Sequence, residues 1–181
     1  MLNINETALV VIDVQTKLAH LMHDHDVLYH NIERVIKVSQ VLNLPILWTE
    51  QAPEKIGPTV EAIHDTLFPL IKPIAKRSFS CWGCEEFKTQ LSLTKCRQVI
   101  LVGIETHVCV YQTAADLKAH GFEVFVAADA VSSRSSLNSE VTLTRMRQEG
   151  MTVTVGEALI CELIRGADHP KFRDVMGYIK K

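Results

Sequence analysis

The 181 residues carry 19 Lys and Arg against 21 Asp and Glu, a net charge of −2, with 47% hydrophobic residues; that suffices for one domain, residues 1–181, burying about 70% of its unfolded surface. The balanced charge, without a long block of either sign, excludes the electrostatic footprint of a nucleic-acid binder, and no apolar run approaches the roughly 18 residues that span a membrane. The N-terminus lacks a basic segment followed by an apolar stretch, and the five cysteines, Cys81, Cys84, Cys96, Cys109 and Cys161, are odd in number and irregularly spaced, so a cytoplasmic protein with reduced thiols is expected rather than a secreted disulfide framework.

Residues 8–12 (Ala-Leu-Val-Val-Ile) form a continuous apolar run, the mark of a strand covered on both faces, and the run ends at Asp13. A carboxylate at the end of a buried strand costs free energy unless it is paired or solvated. Asp13 is therefore either a loop-stabilising cap or a candidate for chemistry. Residues 27–43 place Ile32, Val35, Ile36, Val38, Val41 and Leu42 at helical spacing and stop near Asn43 and Pro45. A short second strand is expected at residues 46–48, followed by an irregular loop, since residues 49–59 hold two prolines and a glycine. Helical spacing is weak in residues 60–67. Residues 71–76 suggest a third strand, demoted to an edge by Pro73 and ending at Lys76.

Arg77-Ser-Phe-Ser-Cys-Trp-Gly-Cys reads as a loop and residues 85–93 as a helix. Residues 99–102 (Val-Ile-Leu-Val) are a fourth, central strand; Gly103 lets the backbone bend, and Thr106 can cap a helix spanning residues 107–120 that Gly121 closes. Counting from that cap puts Cys109 in the first helical turn, where free N–H groups and the dipole favour an anion. Cys109 is then either an inert core thiol, a common fate of free cysteine, or a nucleophile poised to ionise. Strands at residues 123–127 and 152–155, with helices at 139–148, 156–165 and 171–179 and a polar loop at 129–138, complete the pattern.

Strands alternating with helices imply an α/β, three-layer αβα fold with a doubly wound six-stranded parallel sheet. Right-handed crossovers give the order 3-2-1-4-5-6, with a ligand crevice where the winding reverses, between strands 1 and 4. Asp13 follows strand 1 and Cys109 follows strand 4, so the two face each other across that crevice.

Asp13, Lys76 and the run Gly103-Ile-Glu-Thr-His-Val-Cys-Val, together with Thr49-Glu-Gln, Glu54-Lys-Ile-Gly-Pro-Thr and the tail Ala167-Asp-His-Pro-Lys-Phe, make the chain resemble the isochorismatase-like cysteine hydrolase superfamily. The nearest likeness is to the small isochorismatase-domain-containing proteins. The resemblance implies a catalytic triad of Asp13, Lys76 and Cys109, and an oxyanion hole made by the backbone N–H groups of Glu105 and Cys109, presented by a cis peptide between Ile104 and Glu105. It implies cleavage of a small amide or carbamoyl C–N bond through a thioester, and a homo-oligomer acting on a small molecule. Chemistry supports the assignment: a carboxylate beside the thiol can take its proton while an ammonium stabilises both anions. His107 stands where relatives frequently carry Asp, a departure read as tuning or capping.

Phe79, Trp82 and Gln51 are candidate substrate-pocket residues, the aromatics because their loop also carries Lys76 to the crevice. Nicotinamidases of the superfamily hold a metal through an Asp-x-His pair after the second strand. Thr49-Glu-Gln stands there instead, so no metal and no cofactor is expected, and Glu50 and His64 are read as surface polar residues. Cys81-Trp-Gly-Cys84 matches a C-x-x-C pattern, but nothing thioredoxin-like precedes it and no second C-x-x-C completes a zinc site. Two other functions remain open: vinyl-ether hydrolysis of an isochorismate-like substrate, in which the thiol is dispensable, and a non-catalytic binding or interaction module.

Overall fold

Every residue of the first strand, β1 (Thr7–Ile12), is buried, as an apolar run covered on both faces requires. The computed structural model describes residues 1–180; Lys181, the last residue of the expected 1–181 domain, lies outside the described residues. After β1 come α1 (Thr16–Ala19), α2 (His25–Val41), β2 (Ile46–Gln51), α3 (Pro53–Ile56), α4 (Glu61–Leu67), β3 (Ile74–Lys76) and α5 (Glu85–Thr94). The second half holds β4 (Gln98–Ile104), a π-helical turn (Thr106–Val110), α6 (Tyr111–Ala119), β5 (Glu123–Ser132), α7 (Ser136–Gln148), β6 (Thr152–Thr154), α8 (Gly156–Ile164) and α9 (Phe172–Ile179).

The six strands are parallel and ordered β3-β2-β1-β4-β5-β6, as expected from the alternating pattern. Successive side chains of a strand point to opposite faces, and β1 divides accordingly. Leu9 and Val11 join Ile32, Ile36, Trp48 and Leu159 beneath α2 and α8. Ala8, Val10 and Ile12 join Phe87, Leu91, Leu117 and Met146 beneath α5, α6 and α7. Two apolar cores thus sandwich the sheet, giving three layers. Among the described residues no helix is long and apolar enough to cross a membrane.

Register brings the carboxyl ends together. Ile12 pairs with Thr49 on one side and Gly103 on the other, and Gln51 pairs with Lys76. Gly103 has φ +120°, and a Cβ built there would lie 2.1 Å from the carbonyl oxygen of Ile12. Only glycine allows β4 to pass so close to β1 one residue before Asp13.

Several elements differ from expectation: α1 has no counterpart among the expected elements, α3 forms within the stretch 49–59 read as an irregular loop, and β3 begins at Ile74 rather than at residue 71. β2 runs to Gln51, three polar residues beyond the apolar run, and β5 runs to Ser132 across a stretch read as loop, with Ala130 and Val131 buried in the two cores. The helix expected from residue 107 begins as the π-helical turn, with Glu105 preceding it and no side-chain cap. Thr106 does not cap; its hydroxyl accepts from Ser139 Oγ at 3.2 Å. Such π segments are frequent at functional sites.

Candidate active site

The ends of β1 and β2, the loop after β3 and the segment after β4 deliver candidate residues to one cavity of about 130 Å³ lined by Asp13, Gln51, Phe79, Glu105 and Cys109 with apolar walls from Leu18, Ile56, Ile104 and Val108; Lys76 lies behind this lining rather than in it. Asp13 leaves the end of β1 with φ +51°. Its Oδ1 accepts from Thr49 Oγ1 at 2.9 Å, and its Oδ2 lies 2.6 Å from Lys76 Nζ. Lys76 also donates to the carbonyls of Ser78 (3.0 Å) and Phe79 (2.9 Å) and lies 3.3 Å from Gln51 Oε1. With three N–H groups and four acceptors in reach, the ammonium is fully engaged.

Cys109 sits in the π-helical turn, 7% exposed, and its thiol donates to Gln51 Oε1 at 3.2 Å. Gln51 is held in turn by Gln15, whose Oε1 accepts from the Gln51 N–H (2.7 Å) and whose Nε2 donates to the Gln51 carbonyl (3.0 Å) and that of Gly57 (2.7 Å). Glu105 lines the cavity, and its Oε2 accepts from Arg134 Nε (3.2 Å) and N (3.1 Å). The Ile104–Glu105 peptide is cis.

The protonation states follow from burial set against partners. Burial pushes the Asp13 carboxyl above its ordinary value, against the pull of Lys76 and the hydrogen bonds from Lys76, Thr49 and Cys109. Burial opposes the Lys76 ammonium, but the charge of Asp13 and the nearby thiols outweigh it and hold its pKa above the usual lysine range. Burial and then the Asp13 charge push the Cys109 thiol up, with Lys76 pulling the other way. The helix-end position expected to favour a resting thiolate is thus outweighed by desolvation. The arrangement is a protonated thiol facing the Asp13–Lys76 pair, and Asp13, when ionised, is the base placed to take the thiol proton.

Trp82 does not line the cavity, contrary to expectation. Ser80 Oγ accepts from the Trp82 N–H at 3.2 Å and sets a 3₁₀ turn over Cys81–Gly83, which turns the indole away. The ring lies 4.3 Å from His120 and 5.9 Å from Phe122, and its Nε1 donates to His120 Nε2 at 3.1 Å. Phe79 and Gln51 do line the cavity. Glu50 is not a surface residue. It is 6% exposed and accepts from Thr59 N (2.6 Å) and Oγ1 (2.7 Å). His64 stacks on Phe68 at 5.2 Å and bonds Asp65. Among the described residues no three His, Cys, Asp or Glu side chains are grouped to hold a metal.

Gln15, Leu18, Ile56 and Val108 line the cavity without having been singled out. Ile56 and Val108 fall within the motifs Glu54-Lys-Ile-Gly-Pro-Thr and Gly103-Ile-Glu-Thr-His-Val-Cys-Val, and Gln15 stands two residues beyond Asp13.

A doubly wound parallel sheet that sets Asp13 and Cys109 in the wall of one cavity at its switch point, with Lys76 buried behind Asp13, is an α/β fold with its candidate site where such folds bind ligands. The isochorismatase domain model matches residues 7–158, and the chain belongs to the isochorismatase family. It is 40% identical over 148 residues to mouse isochorismatase domain-containing protein 2A, covering 82% of this chain and 70% of that protein. It spans about half, 52%, of the length of the salmon (Salmo salar) and zebrafish (Danio rerio) isochorismatase domain-containing protein 1. Among solved structures, the MAR1 ribonuclease from Caenorhabditis elegans superposes with TM-score 0.92 at 37% identity, covering 99% of this chain and 92% of that one. The YcaC gene product of Escherichia coli, described as an octameric hydrolase of unknown specificity, superposes with TM-score 0.86 at 26% identity, covering 99% and 96%.

Proposed function

We propose that this protein is a cysteine-dependent hydrolase that cleaves a small amide or carbamoyl C–N bond through a thioester on Cys109. The observation that carries the reading is the proximity of the Asp13–Lys76 pair, 2.6 Å apart, to the Cys109 thiol at the wall of the cavity. Asp13 takes the thiol proton as sulfur attacks the carbonyl carbon, and Lys76 stays an ammonium throughout because its protons are already committed. The backbone N–H groups of Glu105 and Cys109 receive the developing oxyanion. The C–N bond breaks, and the amine leaves with the proton that Asp13 holds. Asp13 then takes a proton from water as the water oxygen bonds to the acyl carbon; the C–S bond breaks, the acid leaves, and Asp13 returns the proton to sulfur, restoring the thiol. Neither a metal nor a cofactor has a part in this scheme. An assembly of several copies belongs to the proposal, by analogy with the octameric E. coli relative.

Ammonia release from a panel of small amides, ureas and carbamoyl compounds tests it. Turnover that disappears in Cys109→Ala supports the thioester route, and turnover that survives points to vinyl-ether-type chemistry, in which the thiol is dispensable. No turnover with any compound leaves a binding module. The C. elegans relative described as a ribonuclease carries a second reading, RNA cleavage, and intact RNA after incubation with the same preparation counts against it.

A further inference from the structure

The cavity admits a substrate past five apolar walls, Leu18, Ile56, Phe79, Ile104 and Val108, and no cationic side chain borders it; Gln51, whose Oε1 is taken by Lys76 and Cys109, offers only the neutral N–H groups of its amide. Lys76, whose side chain is 0% exposed, has no proton to spare beyond Asp13, Gln51 and two carbonyls. The Gln15 amide is consumed at both ends by backbone groups of Gln51 and Gly57. Glu105 is 9% exposed, whereas the Arg134 that pairs with it is 60% exposed and largely in water, so the cavity feels the carboxylate more than its screened partner. Arg77, on the loop after β3, is exposed and bound to Glu54 at 2.8 Å.

A substrate carboxylate entering this space would lose its hydration, meet the carboxylates of Asp13 and Glu105, and find no cationic side chain free to pair with it. An unpaired buried charge is among the most costly arrangements a site can impose. A neutral amide meets no such cost. The volume, about 130 Å³, lies below the roughly 300–1,000 Å³ of sites that hold drug-sized ligands, which limits the ligand to a few heavy atoms.

We infer that the site selects uncharged, apolar-tailed carboxamides of a few heavy atoms and rejects substrates bearing a carboxylate, N-carbamoyl acids and isochorismate-like dianions among them. As a statement about substrate this rests on the hydrolase reading; as a statement about what the cavity admits it does not.

Two measurements on the unmodified protein separate these. The first is the rate of Cys109 alkylation by iodoacetamide and by iodoacetate, a neutral and an anionic reagent of nearly the same shape, read by peptide mass spectrometry and normalised to free cysteine. The normalised ratio is expected to favour iodoacetamide by at least thirtyfold. A ratio near one, a preference for iodoacetate, or no labelling of Cys109 by either reagent overturns the inference. The second is ammonia release from butyramide and from succinamate, with kcat/KM expected at least a hundredfold higher for butyramide; an equal or higher value for succinamate overturns it. If neither compound releases ammonia while the alkylation preference holds, the hydrolase reading fails and the selectivity of the cavity stands. A Val108→Arg variant, which sets a cation in the wall, should bring the alkylation ratio toward one by accelerating iodoacetate specifically.

Discussion

Lys76 Nζ lies 2.6 Å from Asp13 Oδ2, with both side chains withdrawn from water. Two strands that are not neighbours in the sheet, β1 and β3, are thereby joined through one ion pair across β2. Removing one partner of a buried pair leaves an uncompensated charge and costs about 3–5 kcal/mol. Lys76→Met should lower unfolding free energy by about that amount, and Asp13→Asn combined with Lys76→Met should recover part of it. Urea denaturation of the parent, Lys76→Met, Asp13→Asn and the double variant measures both effects, and additive losses in the double variant would show that the pair does not act as a unit.

Turnover should depend on pH through the same two groups. Asp13 must be ionised to accept the thiol proton, and burial raises its pKa above the ordinary 3.8, so the acid limb of kcat/KM should have its midpoint above that value. Lys76 is raised above the ordinary 10.5 by Asp13, so the ammonium should persist across the neutral range. In stability, a raised lysine contributes fully below its unfolded pKa and loses that contribution as pH rises through the folded value. Stability attributable to Lys76 should therefore fall only on the alkaline side, above 10.5. A pH–rate profile and urea midpoints at alkaline pH check the two limbs.

Phe79 and Trp82 lie three residues apart but face different surroundings. Phe79 lines the cavity and is 51% exposed, so Phe79→Ala should raise KM about fivefold, the loss of roughly 1 kcal/mol of apolar contact. Trp82 packs on His120 and Phe122 instead. Trp82→Ala should leave KM within about twofold of the parent while lowering stability by about 1–3 kcal/mol. Steady-state kinetics and urea midpoints on both variants distinguish a cavity wall from a packing residue.

Gly103 is the point where β4 passes Ile12. Gly103→Ala sets a Cβ 2.1 Å from the Ile12 carbonyl oxygen at a φ that side chains rarely adopt, and the backbone must shift. A loss of about 3 kcal/mol is expected, with lower turnover in the folded fraction because the shift displaces Asp13, the residue that follows Ile12 at the end of β1. Thermal unfolding and activity per folded molecule read the two effects separately.

The sheet was legible because its strands are short apolar runs punctuated by Gly, Pro and Asn, and because parallel connections have one hand. Topology then put Asp13 and Cys109 on opposite lips of one crevice, while Lys76 needed the family resemblance, since an isolated lysine at a strand end reads as surface. Gln51 was recognisable as a pocket residue, but its hydrogen bond to the thiol was not. Thr49-Glu-Gln interrupts the hydrophobic pattern, so the apolar run ends short of the site although β2 continues to Gln51. The 3₁₀ turn that points Trp82 outward depends on one serine hydroxyl, and the π-helical turn holding Cys109 on packing against α7; neither leaves a period in the sequence. The resting thiol differed from expectation for an energetic reason, because desolvation of Cys109 exceeds what a helix end returns.

The central claim, that Cys109 carries the acyl group during turnover, is tested most directly by trapping. Protein mixed with an excess of a small amide that it turns over is quenched in acid, and the Cys109 peptide is weighed. An acyl adduct on Cys109, removed by hydroxylamine and absent from Cys109→Ala together with all ammonia release, is the predicted result. Ammonia release that continues undiminished in Cys109→Ala, with no adduct in the parent protein, would contradict it.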